Sequence, residues 1–293
     1  MSEEPLALIT GGTRGVGAAI ALALGARGTA SILTHRWGGS DEVELRRRFA
    51  EVGAPAPEIV EADAGNPEDT ERLIAGIAAQ KRRVDVFVSN VAVVSRGKGL
   101  DDLKLRSLTT SLRYSSWPLS NYLDALERHL GELPRWVIVT SSDGPDHYYP
   151  GYDYVATSKA ALEALASVLA DRTKGTRTRV ASLRARQVDT VGYREVVPEA
   201  AQELVNRRFA RFAVTAEEVG SAVVALVSGL LDGLHGQVLT LDKGAEYMDN
   251  MVSAGPVLAE GLRCSRSSTT WPASPYSSAR WGDRWRRRCS APS

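Results

Sequence analysis

The feature that most constrains this chain is a glycine-rich turn placed directly after its first apolar run. Residues 6–9 read Leu-Ala-Leu-Ile, and Thr10-Gly11-Gly12-Thr13-Arg14-Gly15-Val16-Gly17 follows at once. The alanine-rich stretch 18–24 then reads as a helix. A buried strand that passes through glycines into a helix lets the backbone come close to a pyrophosphate. The helix start offers unpaired N–H groups and the positive end of its dipole to the same phosphates. Gly11, Thr13, Arg14, Gly15, Val16 and Gly17 are therefore the first candidate cofactor contacts. By itself such a turn also reads as an ordinary strand-to-helix loop. Its place after the first strand, and the partners found further along, favour a dinucleotide site.

The rest of the chain repeats that beginning. Strand-like runs at 6–9, 29–34, 58–61, 84–89, 136–140, 179–183 and 237–241 alternate with helical patterns near 15–25, 41–52, 67–80, 104–130, 154–172 and 216–230. This alternation predicts an α/β fold, a doubly wound parallel sheet of the Rossmann type with helices on both faces. Right-handed crossovers then place the ligand at the carboxyl ends of the strands. One domain over residues 1–250 accounts for the pattern in a chain of 293. Residues 251–293 read as a C-terminal extension, and after 261 no apolar periodicity remains, which predicts disorder there.

Charge narrows the function classes. The net charge is +1, yet residues 262–293 carry seven arginines against Asp283, which leaves −5 on the first 261 residues. An acidic body argues against nucleic acid as a partner of the fold. Both cysteines, Cys264 and Cys289, lie in the basic tail, so the body has no thiol chemistry and suits a reducing cytoplasm. No apolar run is long enough for a membrane span, and Glu3 and Glu4 before a short apolar stretch do not suit a signal peptide. A cytoplasmic enzyme acting on a small molecule is expected, without membrane or metal.

Several further residues stand in a telling order. Asp63 follows the third strand, Ser89-Asn90-Val91-Ala92 closes the fourth, and Thr140-Ser141-Ser142 closes the fifth. Lys159 lies within Tyr152-Asp153-Tyr154-Val155-Ala156-Thr157-Ser158-Lys159. With the glycine turn, this pattern resembles the short-chain dehydrogenase/reductase family over about residues 5–247. The resemblance implies a nicotinamide cofactor, with Asp63 at the adenine amino group, Asn90 near the adenosine ribose, Lys159 on the nicotinamide ribose, and Val188 and Thr190 near the nicotinamide. It also implies a homodimer or homotetramer. Arg14 in the turn and Arg36 after the second strand stand where a 2′-phosphate would sit, and no acid ends that strand, so NADPH is the expected cofactor. The other reading of both is solvated surface charge.

The catalytic tyrosine departs from the family. Ser142 and Lys159 fit the usual Ser…Tyr-x-x-x-Lys frame, but the tyrosine position holds Val155. At 100° per residue, Tyr152 lies within about 20° of the helical face of Lys159, whereas Tyr154 lies roughly 140° away. Tyr-x6-Lys resembles the enoyl-thioester reductases of the family. That implies hydride delivery to the β-carbon of an α,β-unsaturated thioester, on a carrier protein or coenzyme A, in fatty-acid-like or secondary-metabolite biosynthesis. Tyr152 would hydrogen-bond the enolate oxygen as an oxyanion donor, and Ser142 would orient the carbonyl. Two alternatives stay open: a ketoreductase using Tyr152 or Tyr154, and an NADPH-binding partner without turnover. Tyr148, Tyr149, Tyr152 and Tyr154 also read as a tyrosine-rich wall of the cleft. Arg113 replaces the family's asparagine on the fourth helix, and Arg184-Ala185-Arg186 replaces its glycine turn after the sixth strand. These arginines read either as contacts for an acidic or phosphorylated substrate arm or as surface charge. The basic tail reads as an unstructured extension or as an arm for an acidic carrier protein.

Overall fold

The computed structural model describes residues 4–36, 41–95, 97, 103–147, 151–186, 188 and 213–245. All belong to the unit Met1–Glu246, and the unit Tyr247–Ser293, with the cysteines and the basic tail, lies outside the described residues. Seven strands form one sheet in the order β3-β2-β1-β4-β5-β6-β7. They are β1 (Leu6–Ile9), β2 (Ala30–His35), β3 (Glu58–Glu61), β4 (Val86–Ser89), β5 (Trp136–Ser141), β6 (Arg179–Ala185) and β7 (Gln237–Leu241). Every neighbouring pair is parallel. The order reverses between β1 and β4, so the crevice of the doubly wound sheet opens above their carboxyl ends.

Period-two alternation along the strands divides the core into two layers. Leu6, Leu8, Phe87, Val137 and Val139 face one layer, and Ala7, Ile9, Val86, Val88, Trp136 and Ile138 face the other. Both faces need cover, which is why these strands read as continuous apolar runs. Helices α3 (Pro67–Ala79), α5 (Trp117–Leu130) and α6 (Asp153–Arg172) close the first layer with Ile74, Leu119, Leu126 and Leu162. Helices α1 (Gly15–Gly25), α2 (Glu42–Glu51) and α7 (Ala216–Val227) close the second with Ile20, Leu24, Phe49 and Val223. Among the described residues no helix is long and apolar enough to cross a membrane.

One expected helix is two. The pattern at 104–130 divides at Ser116 into α4 (Leu105–Ser115) and α5. Pro118 explains the break: its ring nitrogen has no hydrogen to donate and would clash with the carbonyl four residues back. The Ser116 hydroxyl donates to the Ser158 carbonyl at 2.7 Å, which pins the break against α6. Helix starts differ in a way that matters for ligands. Asp41, Asn66 and Thr215 cap α2, α3 and α7, the last in a reciprocal capping box with Glu218. Helix α1 has no side-chain cap and no acid in its first turn.

Candidate active site

The glycine turn is built by backbone geometry. Gly11 (φ +61°) and Gly15 (φ +55°) adopt left-handed conformations, which side chains resist. A Cβ at Gly17 would stand 2.3 Å from the Gly11 carbonyl oxygen, so only glycine lets α1 begin this close to the turn. Asn90, at the end of β4, braces the turn from below. Its amide donates to the carbonyls of Thr10 (3.0 Å) and Gly11 (3.1 Å), and its oxygen accepts from the Thr140 hydroxyl (3.2 Å). Thr10 Oγ1 accepts in turn from the Asn90 backbone N–H at 2.9 Å. The family resemblance puts Asn90 near the adenosine ribose; in the structure its side-chain groups brace the turn. Thr13 is buried, Val16 half-buried, and Arg14 stands exposed at the start of α1.

A second cluster lies where β2 and β3 end. Asp63 Oδ1 accepts from the Gly65 N–H at 2.9 Å, and Oδ2 accepts from the Tyr114 hydroxyl at 3.1 Å. Arg36 reaches the same Oδ2 through Nε at 3.0 Å. It also donates from Nη1 to the Tyr114 oxygen, with its guanidinium carbon 4.9 Å from the centre of the tyrosine ring. Burial and the Asp63 charge raise the Tyr114 phenol above its ordinary pKa. Arg113 donates from Nε to the Gly65 carbonyl at 2.7 Å. Sequence reading misses Tyr114 altogether, because its partners lie 51 and 78 residues away and no local pattern announces them.

The third cluster holds the proposed chemistry. Tyr152 is the N-cap of α6, and its carbonyl already accepts from the Ala156 N–H at 2.8 Å. Its hydroxyl donates to Ser142 Oγ at 3.2 Å. The ring packs where a Cβ on Gly144 would stand, 2.6 Å from Cε1. Burial raises the Tyr152 pKa, partly offset by the bond to Ser142. Tyr154 turns to the other flank, buried, with its oxygen accepting from the Lys104 N–H at 2.7 Å. Val155 is buried too. Lys159 is buried with Nζ donating to the Thr140 carbonyl at 2.7 Å. Burial pushes its pKa down to about 8, against the opposing pull of Glu163. Tyr148, Tyr149 and Thr190 lie outside the described residues, and Val188 is buried.

The arginines after β6 are taken up by the chain itself. Arg184 grips Glu163 with two parallel bonds, Nε to Oε1 at 2.7 Å and Nη2 to Oε2 at 2.6 Å, and pairs with Asp146 through Nη1. Arg186 pairs with Asp143 at 2.9 Å. They are not solvated surface charges: their ion pairs tie the segment after Ser142 to β6 and α6. Among the described residues no group of three or more His, Cys, Asp or Glu side chains is placed to hold a metal ion.

A family model described as enoyl-(acyl carrier protein) reductase matches residues 11–246. The chain is a short-chain dehydrogenase/reductase. This short-chain dehydrogenase/reductase is 30% identical over 171 residues to the short-chain dehydrogenase/reductase FrzI of Cladobotryum sp, a match that covers 55% of this chain and 62% of FrzI. It is 27% identical over 168 residues to versicolorin reductase 1 of Aspergillus parasiticus, covering 57% of this chain and 63% of that protein. The matched region thus spans a little under two thirds of these relatives. Among solved structures, a short-chain dehydrogenase of Burkholderia cenocepacia J2315 in complex with NADP is similar, with a TM-score of 0.73 and 26% identity over 83% of this chain and 98% of that one. The short-chain dehydrogenase/reductase family uses a nicotinamide cofactor.

Proposed function

We propose that this chain is an NADPH-dependent reductase of the carbon–carbon double bond of an α,β-unsaturated thioester, carried on coenzyme A or a carrier protein. The observation that carries the reading is the Tyr152–Ser142 bond at 3.2 Å, with Val155 in the place of the family's usual tyrosine. The residues suit the cofactor. The uncapped start of α1, with no acid in its first turn and Arg14 exposed beside it, suits a pyrophosphate. Arg36 at the end of β2 suits a 2′-phosphate. Lys159 suits the nicotinamide ribose. A reduced nicotinamide, when bound, supplies a hydride. The Tyr152 hydroxyl, turned from Ser142 to the substrate, would donate to the thioester oxygen beside the Ser142 hydroxyl, where negative charge gathers as the double bond is reduced. Protonated Lys159 adds positive field beneath them.

Reduction of a ketone is the second reading. The same Tyr152–Ser142 pair, with the tyrosine as proton donor, suits a carbonyl, and similarity to versicolorin reductase 1 supports a secondary-metabolite substrate. NADPH consumption with a crotonyl thioester beside a β-ketoacyl thioester, with product masses, separates the two. Turnover of the crotonyl substrate alone supports the first reading, turnover of the ketone alone the second, and neither leaves the NADPH-binding partner. We read the apolar groove of about 720 Å³ between α4, α5 and α6 as a face for a second copy, since Trp117 and Val168 stand exposed on it. Light scattering of the full chain beside Val168→Glu tests this.

A further inference from the structure

We propose, resting on the reading of Arg36 as the 2′-phosphate contact, that Tyr114 is a positioning residue that sets cofactor specificity. Its hydroxyl and ring hold the Arg36 guanidinium ready at the end of β2. The phenol oxygen accepts from Arg36 Nη1 and donates to Asp63 Oδ2, while Arg36 Nε reaches that same carboxylate oxygen at 3.0 Å. Two contacts of one fork, together with the ring 4.9 Å from its carbon, fix both the position and the plane of the guanidinium.

The ring itself has little freedom. It occupies the space where a Cβ on Gly65 would stand, 2.5 Å from Cε1, and Arg113 flanks it with its guanidinium carbon 5.8 Å from the ring centre. Asp63 keeps Oδ1 on the Gly65 N–H. The cluster therefore carries two guanidinium groups and one carboxylate, a positive balance suited to a dianionic phosphate. A phosphate is best met by a fork already in place, because ordering a long side chain on binding costs affinity. If Tyr114 served only as a wall of the adenine pocket, it would affect NADPH and NADH alike. Holding Arg36 affects only the cofactor that carries the 2′-phosphate.

Calorimetric titration of the full chain with NADPH and with NADH tests this without turnover. Tyr114→Phe is expected to weaken NADPH about fivefold to tenfold and to leave NADH within about twofold. Added to Arg36→Ala, it is expected to change the ratio no further, since the group it positions is gone. Arg36→Lys keeps the charge and loses the fork, so it is expected to lose most of the preference, and it decides the matter should Tyr114→Phe fail to fold. An unchanged ratio in Tyr114→Phe, equal loss for both cofactors, or tighter NADPH overturns the role of Tyr114. So does a fully retained preference in Arg36→Lys. Equal affinities in the unmodified protein overturn the reading of Arg36 itself, whereas a preference lost in Arg36→Ala but kept in Tyr114→Phe overturns only the positioning.

Discussion

Tyr152 and Tyr154 are two positions apart and lie on different flanks of the same helix start. One donates to Ser142 and the other accepts from the Lys104 backbone. Tyr152→Phe is therefore expected to lower kcat roughly 100- to 1000-fold, as loss of an oxyanion donor does, with NADPH affinity nearly unchanged. Tyr154→Phe leaves the Lys104 N–H without its acceptor and is expected to cost about 1 kcal/mol of stability with little loss of kcat. Steady-state kinetics beside chemical denaturation separates the pair, and the opposite ranking would overturn the assignment. Lys159 yields a pH prediction. Burial lowers its pKa from 10.5 to about 8 in the folded protein. Below pH 8 both states are protonated and the cost of burying the charge is fully present. Between 8 and 10.5 the unfolded chain binds more protons, so stability rises with pH. The melting temperature of the unmodified protein, relative to Lys159→Met, should climb by about 4–7 °C from pH 7.5 to 9.5, while turnover falls as Nζ loses its charge.

The elements were legible to different depths. Residues 6–9, 58–61 and 237–241 match β1, β3 and β7 to the residue, because short apolar runs between turn signals leave little choice. The pattern at 104–130 hides its break because the apolar period continues across it. Pro118 is the visible signal, since it lies at the first turn of a helix that starts anew. The roles of Arg184 and Arg186 were not legible, because their acidic partners come from the β5–α6 segment and α6 and meet them only in the folded sheet. Long-range pairing hides Tyr114 in the same way, although Asp63 and Arg36 could be singled out by position. The Arg184–Glu163 pair is buried, with side chains 14% and 10% exposed. Arg184→Met should leave Glu163 buried without its fork and cost about 3 kcal/mol or more. Glu163→Gln in the same chain should restore much of that, as read by urea unfolding of both single variants and the double variant.

At the scale of the whole molecule, every described site residue comes from the unit Met1–Glu246. A chain ending at Gly261 is accordingly expected to keep its NADPH affinity within about twofold and its turnover on coenzyme A thioesters. Loss of turnover on carrier-bound substrate alone would point instead to the basic tail as an arm for an acidic carrier. The helix starts carry a consequence for the molecule's energetics. Helices α2, α3 and α7 are closed by their own Asp41, Asn66 and Thr215, whereas α1 begins with no such closure. Helices α4, α5 and α6 also lack a side-chain cap, but α1 alone follows the glycine turn, and a phosphate bound there would close it from outside the polypeptide and add folding free energy by mass action. In hydrogen–deuterium exchange, the amides of Gly15, Val16 and Gly17 should slow more on cofactor addition than the first turns of the three capped helices. A ligand that protects them so would act as the missing residue of its own binding helix.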